Sequence, residues 1–381
     1  MQPKAARNIS IEALRLVAVV GIAIFHTFQW TFQATCTGVP EYAPLAVFPY
    51  SGLLGFINLL GCWANEVFFM ISGYFLVASA ARAWSDGATW KSQIQRTTQR
   101  LGKVILPTVF YCLVALTWST AISPIPDVSL HAHYWYTLGL EFIWVYAATV
   151  FMAPLFGLAK YRLTKKVHTA AVVAVSILVF IANGYLAAQS MANSGEFSWL
   201  QKIMSAITYV VAFLVGGLLR DYTESTGPLK ARAVAKYLLT AVLSIAIGLE
   251  AALSATGNLT AIAVLSYKST SIVSFALAAT SLLFAATRDS KSSNTRATNA
   301  IVTLSAATLG FYVMQSLTSS LWRPVFNTML ANILVNASNS EATCIATGTA
   351  ISIAFALALL FIDAARSLIA RVLKQQITHQ R

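Results

Sequence analysis

The sequence predicts an all-α membrane protein: a polytopic bundle of about ten transmembrane helices with both termini in the cytoplasm. Three observations predict it. Of 381 residues, 57% are apolar and 10% are charged, against roughly 45–50% and about 25% in a soluble domain. So few charges, at a mean hydropathy of +0.68, cannot cover a water-facing surface. The apolar residues also gather into runs of about 20, the length that crosses a bilayer as a helix. Finally, the lysines and arginines crowd onto alternate connections. The same numbers exclude a disordered, collagen-like or coiled-coil chain.

The runs fall at about 13–34, 52–79, 101–121, 134–158, 168–188, 202–219, 234–253, 270–287, 300–321 and 344–366. An open sheet cannot satisfy its backbone in hydrocarbon, so each run is a helix. A porin-like barrel would show short alternating segments, which are absent. Of the 26 lysines and arginines, all but Arg15, Lys202, Lys268 and Arg323 group on one side, which is therefore the cytoplasmic side. Arg15 lies inside the first helix; Lys202, Lys268 and Arg323 are assigned to the opposite face. This placement accounts for the net charge of +13 without nucleic acid, and suits anionic lipid or an anionic donor.

One transmembrane domain over 1–381 is expected, with no appended soluble domain. The first run is long and interrupted by Arg15 and His26, unlike a cleavable signal peptide. The four cysteines have no metal-ligand spacing, and no metal site is expected. Cys36 and Cys344 fall near the outer ends of spans; a bridge between them is open, with free thiols the favoured reading. No internal repeat or pair of broken helices suggests inverted transporter halves.

Function must come from polar groups where they are expensive. A charge at bilayer depth costs at least ~2.5–3.5 kcal/mol on insertion scales. In the first helix, Arg15 and His26 are three turns apart to within about 20°, so they share a face, about 16 Å apart along the axis. Arg15 stands at headgroup level and His26 near mid-membrane. The bland reading is a snorkelling anchor and a hydrogen-bonded core histidine; the sharper one makes His26 a general base. Glu66, in the second helix, lies at a similar height and needs a partner or a proton. Beyond it, Ser72 and Gly73 permit close helix approach, and Phe68 and Phe69 read as packing. Glu141, in the fourth helix, sits about one turn further out than His26. Trp135 and Tyr136 precede it as interfacial-belt aromatics or as a sugar platform.

Arg15-x10-His26, followed by FFMISGYFL at 68–76, resembles the bacterial acyltransferase-3 family of integral-membrane acyltransferases, whose signature is an Arg/Lys-x10-His pair. The resemblance runs along nearly the whole chain. QRTTQRLGKVILP at 95–107 is similar to the family's basic segment entering a helix with an early proline. Trp135-Tyr136 with Tyr146 and Pro154 resembles its W-aromatic…Y…P helix. YVVAFLVGGLLR at 209–220 resembles its sixth helix, and TLGFYVMQ at 308–315 its G-x-Y-x-x-His segment. The RNISIEALR opening and residues 65–76 look most like members encoded with exopolysaccharide synthesis. Two positions depart. Gln315 stands where many members have His, so no role for that His carries over. Arg100-x-x-Lys103 stands where many have two arginines, and lysine lacks the bidentate fork.

The resemblance implies an O-acyltransferase of the bacterial cell membrane. It would move an acyl group, most often acetyl, from cytoplasmic acyl-CoA to a hydroxyl of a cell-surface or lipid-linked saccharide in exopolysaccharide biosynthesis. Acyl-CoA is then the donor substrate, no tightly bound cofactor is expected, and other polysaccharide-assembly proteins are candidate partners. Arg15, Arg96, Arg100 and Lys103 would hold the donor phosphates. The donor arm would pass Ser72 and Gly73 towards His26, the base or transient acyl carrier. Glu141 or Glu66 would orient its imidazole, and Trp135 and Tyr136 would meet the sugar. The alternative is a transporter or flippase for a lipid-linked saccharide, with His26, Glu66 and Glu141 relaying protons. A structural subunit of an assembly complex is a third reading.

Overall fold

The computed structural model describes residues 8–126, 128–129, 140–192, 198–266, 270–288, 295–337 and 339–379. Among these the chain is helical, with no strand. The helices are α1 (Ile9–Cys36), α2 (Tyr50–Ser85), α3 (Trp90–Ala121), α4 (Glu141–Arg162), α5 (Lys165–Ala192), α6 (Ser198–Thr226) and α7 (Pro228–Ala255). They continue with α8 (Leu259–Leu265), α9 (Ile272–Thr287), α10 (Arg296–Ser305), α11 (Thr308–Leu317), α12 (Ser319–Asn336) and α13 (Ser340–His379).

Eight of these helices are long and apolar enough to cross a bilayer, and nine spans result if α10 and α11 count as one. Every predicted apolar run contains helix, yet the spans are less regular than expected. The ninth run is two helices bent by 46° at Ala306–Ala307. The eighth is the short α9, preceded by the seven-residue α8. Broken helices, absent from the sequence reading, are therefore present. Irregular backbone at such depth is tolerated only where protein or a cavity covers it. Residues 322–336, which fell between the last two apolar runs, belong instead to α12. Its mean hydropathy is diluted by Arg323, Asn327, Asn332 and Asn336, which hid it from a search for apolar runs.

α2 is the central helix, buried along most of its length against α1, α4, α6 and α9, while α5 and α7 are largely exposed on the bundle's rim. Small residues allow this crowding. A Cβ on Gly73 would overlap the Phe213 carbonyl of α6, and one on Gly216 would overlap the Met70 carbonyl of α2. Without a hydrophobic drive between helices in lipid, such backbone approach supplies the packing. Phe69, fully buried, stacks on Tyr209 with ring centres 4.5 Å apart. All four cysteines, Cys36 and Cys344 included, are free thiols.

Candidate active site

The site begins at the start of α1. Asn8 caps the helix, its side-chain oxygen accepting from the amides of Ser10 and Ile11 at 3.0 and 3.2 Å. This capping satisfies amide groups that a helix start leaves open. It also places Glu12 and Arg15 on one face, where they form an ion pair at 2.9 Å. Glu12 is buried and also accepts from the Ser305 hydroxyl of α10 at 2.6 Å. Arg15 is thus aimed by an acid that is itself held.

Arg15 opens into a cleft of about 1040 Å³ at the bundle's basic end, lined by Arg15, Arg82, Arg96, Arg100 and Arg220. Glu224 pairs with both Arg82 and Arg220 at 2.6 Å. Arg220 also lies over the Tyr74 ring at 5.0 Å. Arg100 donates to the Ser79 hydroxyl at 3.2 Å. Among the described residues, neither Arg96 nor Arg100 has an acidic partner. Two such guanidinium groups beside Arg15 make a strong anion site, suited to phosphate by fork geometry.

Along the same face of α1, Val19 and Ile22 follow Arg15 at helical spacing and lead to His26. Both line a second, smaller cavity of about 120 Å³, walled by Phe68, Phe142, Tyr146, Phe311 and Tyr312 among others. Arginine cleft, apolar cavity and histidine therefore lie in succession along one stripe of one helix. Aromatic contacts hold the cavity's walls: Phe142 meets Tyr312 at 4.7 Å and Phe69 at 5.2 Å.

His26, half-buried, is met from across the bundle by Arg323 of α12. The guanidinium nitrogen Nη2 lies 3.1 Å from Nδ1 of the imidazole. Arginine has no acceptor, so in this contact the guanidinium donates and Nδ1 accepts. The Oε1 of Gln29, one turn on, lies 3.3 Å from the same nitrogen and accepts from it in the other tautomer, so Arg323 and Gln29 compete for Nδ1. Trp322, Phe326 and Phe355 form an aromatic cluster that ties α12 to α13 beside this contact. Arg323, counted in the sequence as an outer topology charge, is thus a direct neighbour of His26. The available signal was a lone arginine after a tryptophan in a stretch of helical length; its partner lies 297 residues away.

The remaining sequence candidates divide. Glu66 is fully buried and faces α9, where the Ser274 hydroxyl is its hydrogen-bonding neighbour, although neither carboxylate oxygen meets it in close hydrogen-bond geometry. Its neighbour Ser274 donates instead to the Ser271 carbonyl at 2.9 Å. Gly61 of α2 abuts Phe25 of α1, and five residues further on, about 140° around the helix, Glu66 points away from α1. It is not brought to His26. Glu141 is exposed in the first turn of α4 and makes no recorded bond to His26; both Glu141 and Arg323 lie within electrostatic range of Tyr312.

Ser72 bonds the Tyr146 hydroxyl at 2.8 Å, behind the small cavity's wall. Gly73 is consumed by packing on α6 and lines neither cavity. Lys103 lies outside the arginine cleft, in a separate hollow with Asp363 and Arg366. Trp135 and Tyr136 lie outside the described residues.

A helical bundle of membrane-spanning length, with an arginine-lined cleft and, further along the same helix face, a histidine met by an arginine, defines a class of multi-pass membrane protein with a polar site between its helices. Residues 8–362 match the family model of the acyltransferase-3 acyltransferase domain, and the chain belongs to that family. No match is found among curated proteins or solved structures. The family's activity is acyl transfer, so the chain is a multi-pass membrane acyltransferase.

Proposed function

We propose that the protein transfers a short acyl group, acetyl by preference, from cytoplasmic acyl-CoA to a hydroxyl of a cell-surface or lipid-linked saccharide. The observation that carries this reading is the single stripe on α1 that joins the arginine cleft to His26. The donor's anionic head belongs with Arg15, Arg96 and Arg100. Its arm belongs along Val19 and Ile22, over the ~16 Å between Arg15 and His26. The small cavity supports a short chain: a dry cavity of ~150 Å³ holds one benzene ring. The basic end then faces the cytoplasm, as the charge asymmetry favours. The RNISIEALR opening favours exopolysaccharide as the acceptor.

His26 takes the proton of the acceptor hydroxyl as the new C–O bond forms at the thioester carbon. Collapse of the tetrahedral species breaks the C–S bond, and the departing thiolate takes that proton from the imidazolium. Atoms and charge balance without a further reactant. Glu141, near Tyr312 and Arg323, belongs to the acceptor side of the site.

The test uses membranes of expressing cells, which hold the native acceptor, and labelled acetyl-CoA. Free thiol should appear in step with labelled saccharide, and deletion should remove an acyl mass from surface polysaccharide. No thiol release and an unchanged polysaccharide mass would sink the reading. The transporter alternative gains from the α10–α11 bend and from the buried carboxylates of Glu66 and Glu250, which have no close hydrogen bond among the described residues. It predicts saccharide movement without thiol release.

A further inference from the structure

We infer that Arg323 is a catalytic residue of the acyl transfer: it stabilises the oxyanion of the tetrahedral intermediate formed beside His26. The inference rests on the acyl-transfer reading above and adds a residue and a role to it.

Three observations carry it. First, Arg323 is a charge on a helix within the bundle that has no acidic partner among the described residues. An ionisable residue that faces the interior of a membrane bundle and pairs with another there is a functional-site candidate; Arg323 pairs with His26 and lies over the Trp322 ring at 5.5 Å. Second, among the described residues its side chain hydrogen-bonds the base itself, at 3.1 Å. An oxyanion donor must lie about 3 Å from the place where base and reacting carbon meet, and Arg323 already stands there. Third, buried donors are left over. Among the described residues the Nε of Arg323 has no acceptor, nor has Nε2 of Gln315, which is 2% exposed. The two are joined locally, because the Trp322 indole, next to Arg323, donates to the Gln315 carbonyl at 3.0 Å. Buried donors without acceptors are rare and call for an explanation. Donors awaiting an anion supply one.

Charge balance gives the same answer. When His26 takes a proton it becomes a cation within hydrogen-bond reach of a guanidinium. Two such cations in a water-poor site repel strongly. An oxyanion formed between them removes the repulsion at the moment it arises. As the acceptor oxygen bonds the thioester carbon, the carbonyl electrons move onto oxygen, and the guanidinium shifts from Nδ1 to that oxygen. The freed Nδ1 is the nitrogen that receives the hydroxyl proton. Collapse returns the electrons, expels the thiolate and restores the resting contact. Arg323 thereby occupies Nδ1 at rest, in competition with Gln29 Oε1, and stabilises charge only during reaction. Interactions made only in the transition state raise kcat rather than affinity.

The experiment uses the full chain in membranes carrying the native acceptor, with acetyl-CoA as donor. Wild-type turnover is measured first: none at all would refute the donor reading itself and this role with it. Given turnover, Arg323→Ala should lower kcat about 10²–10³-fold with KM for acetyl-CoA within about threefold. Arg323→Lys, which keeps the charge but not the fork, should fall between. Millimolar guanidinium should restore part of the alanine variant's rate, which a packing role would not produce. Nitrogen NMR of labelled histidine should show that Nδ1 of His26 loses its hydrogen-bond donor in Arg323→Ala. Near-wild-type kcat in the alanine variant, a loss confined to KM, or failure of guanidinium to restore any rate while Arg323→Lys remains folded would each overturn the assignment.

Discussion

The arginine cleft and the His26–Arg323 contact both place cations along the proposed reaction path, but by opposite means. The cleft holds five arginines, opens at the basic end and carries its own acids, Glu12 and Asp86, with Glu224 beside them. The deep contact has one arginine, one histidine and no acid bonded to either among the described residues. Charges in the cleft are hydrated, screened and partly redundant. The deep pair is half-buried and single, and its worth is realised only if an anion arrives. Losses at depth should therefore appear in rate and be large, and losses in the cleft should appear in donor affinity and be moderate.

The largest effect expected is that of His26→Ala. Loss of a general base typically costs 10²–10⁴-fold, and coenzyme A affinity should be unchanged, because the cleft lies ~16 Å away. His26→Gln is the volume-keeping control. If His26→Ala weakens coenzyme A binding as much as it slows turnover, the two regions are one site and the division fails.

Next come the cleft arginines. Arg15→Ala removes a guanidinium held by a buried acid and should raise KM for acyl-CoA about tenfold or more, in line with the ~1.5–3 kcal/mol of a hydrogen bond to a charged group. Arg100→Ala should have a smaller effect, since Arg96 stands beside it. Both defects should shrink as salt rises, because exposed charges are screened within about 10 Å at 0.1 M. Steady-state kinetics at two ionic strengths checks this; a salt-independent defect would assign these residues to structure.

The two glutamates sharpen the boundary. Glu141→Gln, near Tyr312 and on the Arg323 side, should lower kcat several-fold. Glu66→Gln should leave kcat within about twofold and hold or raise thermal stability, because it replaces a buried carboxylate without a close hydrogen bond by a neutral group of the same shape. A reversed outcome would move Glu66 into the active site and Glu141 out of it.

What the sequence could show follows from these same residues. α1 and α2 were legible because long apolar runs and a basic flank are local signals, and the Arg15–His26 phase is arithmetic on one helix. The cleft was legible in part: Arg15, Arg96 and Arg100 meet there, but Arg82 and Arg220 join from α2 and α6 by packing alone. Glu66 was misdirected because depth was considered without phase; Gly61 against Phe25 shows which side of α2 faces α1. The Ala306–Ala307 bend has neither glycine nor proline to announce it. Arg323 was hidden twice, by a helix too polar for a hydropathy search and by a contact between distant parts of the chain.

The smallest effect expected is that of Lys103→Ala, and it tests how sharply the cleft ends. By sequence, Lys103 belongs with Arg100, three residues before it. One turn of α3 separates their environments. Arg100 enters the cleft and donates to Ser79 of α2, whereas Lys103 lines a hollow of about 780 Å³ with Asp363 and Arg366. There Asp363 is already engaged, accepting from Tyr111 at 2.7 Å and from Arg366 at 2.6 Å. The two spaces share Ala306, at the bend between α10 and α11. A phosphate seated among Arg15, Arg96 and Arg100 has no need of Lys103, and an exposed lysine near an occupied carboxylate contributes roughly 0–1 kcal/mol. Lys103→Ala should therefore leave KM for acyl-CoA within about twofold and its salt dependence unchanged. A tenfold rise in KM, relieved by salt as for Arg100→Ala, would show that the donor spans both spaces and that the bend at Ala306 lies under it rather than beside it.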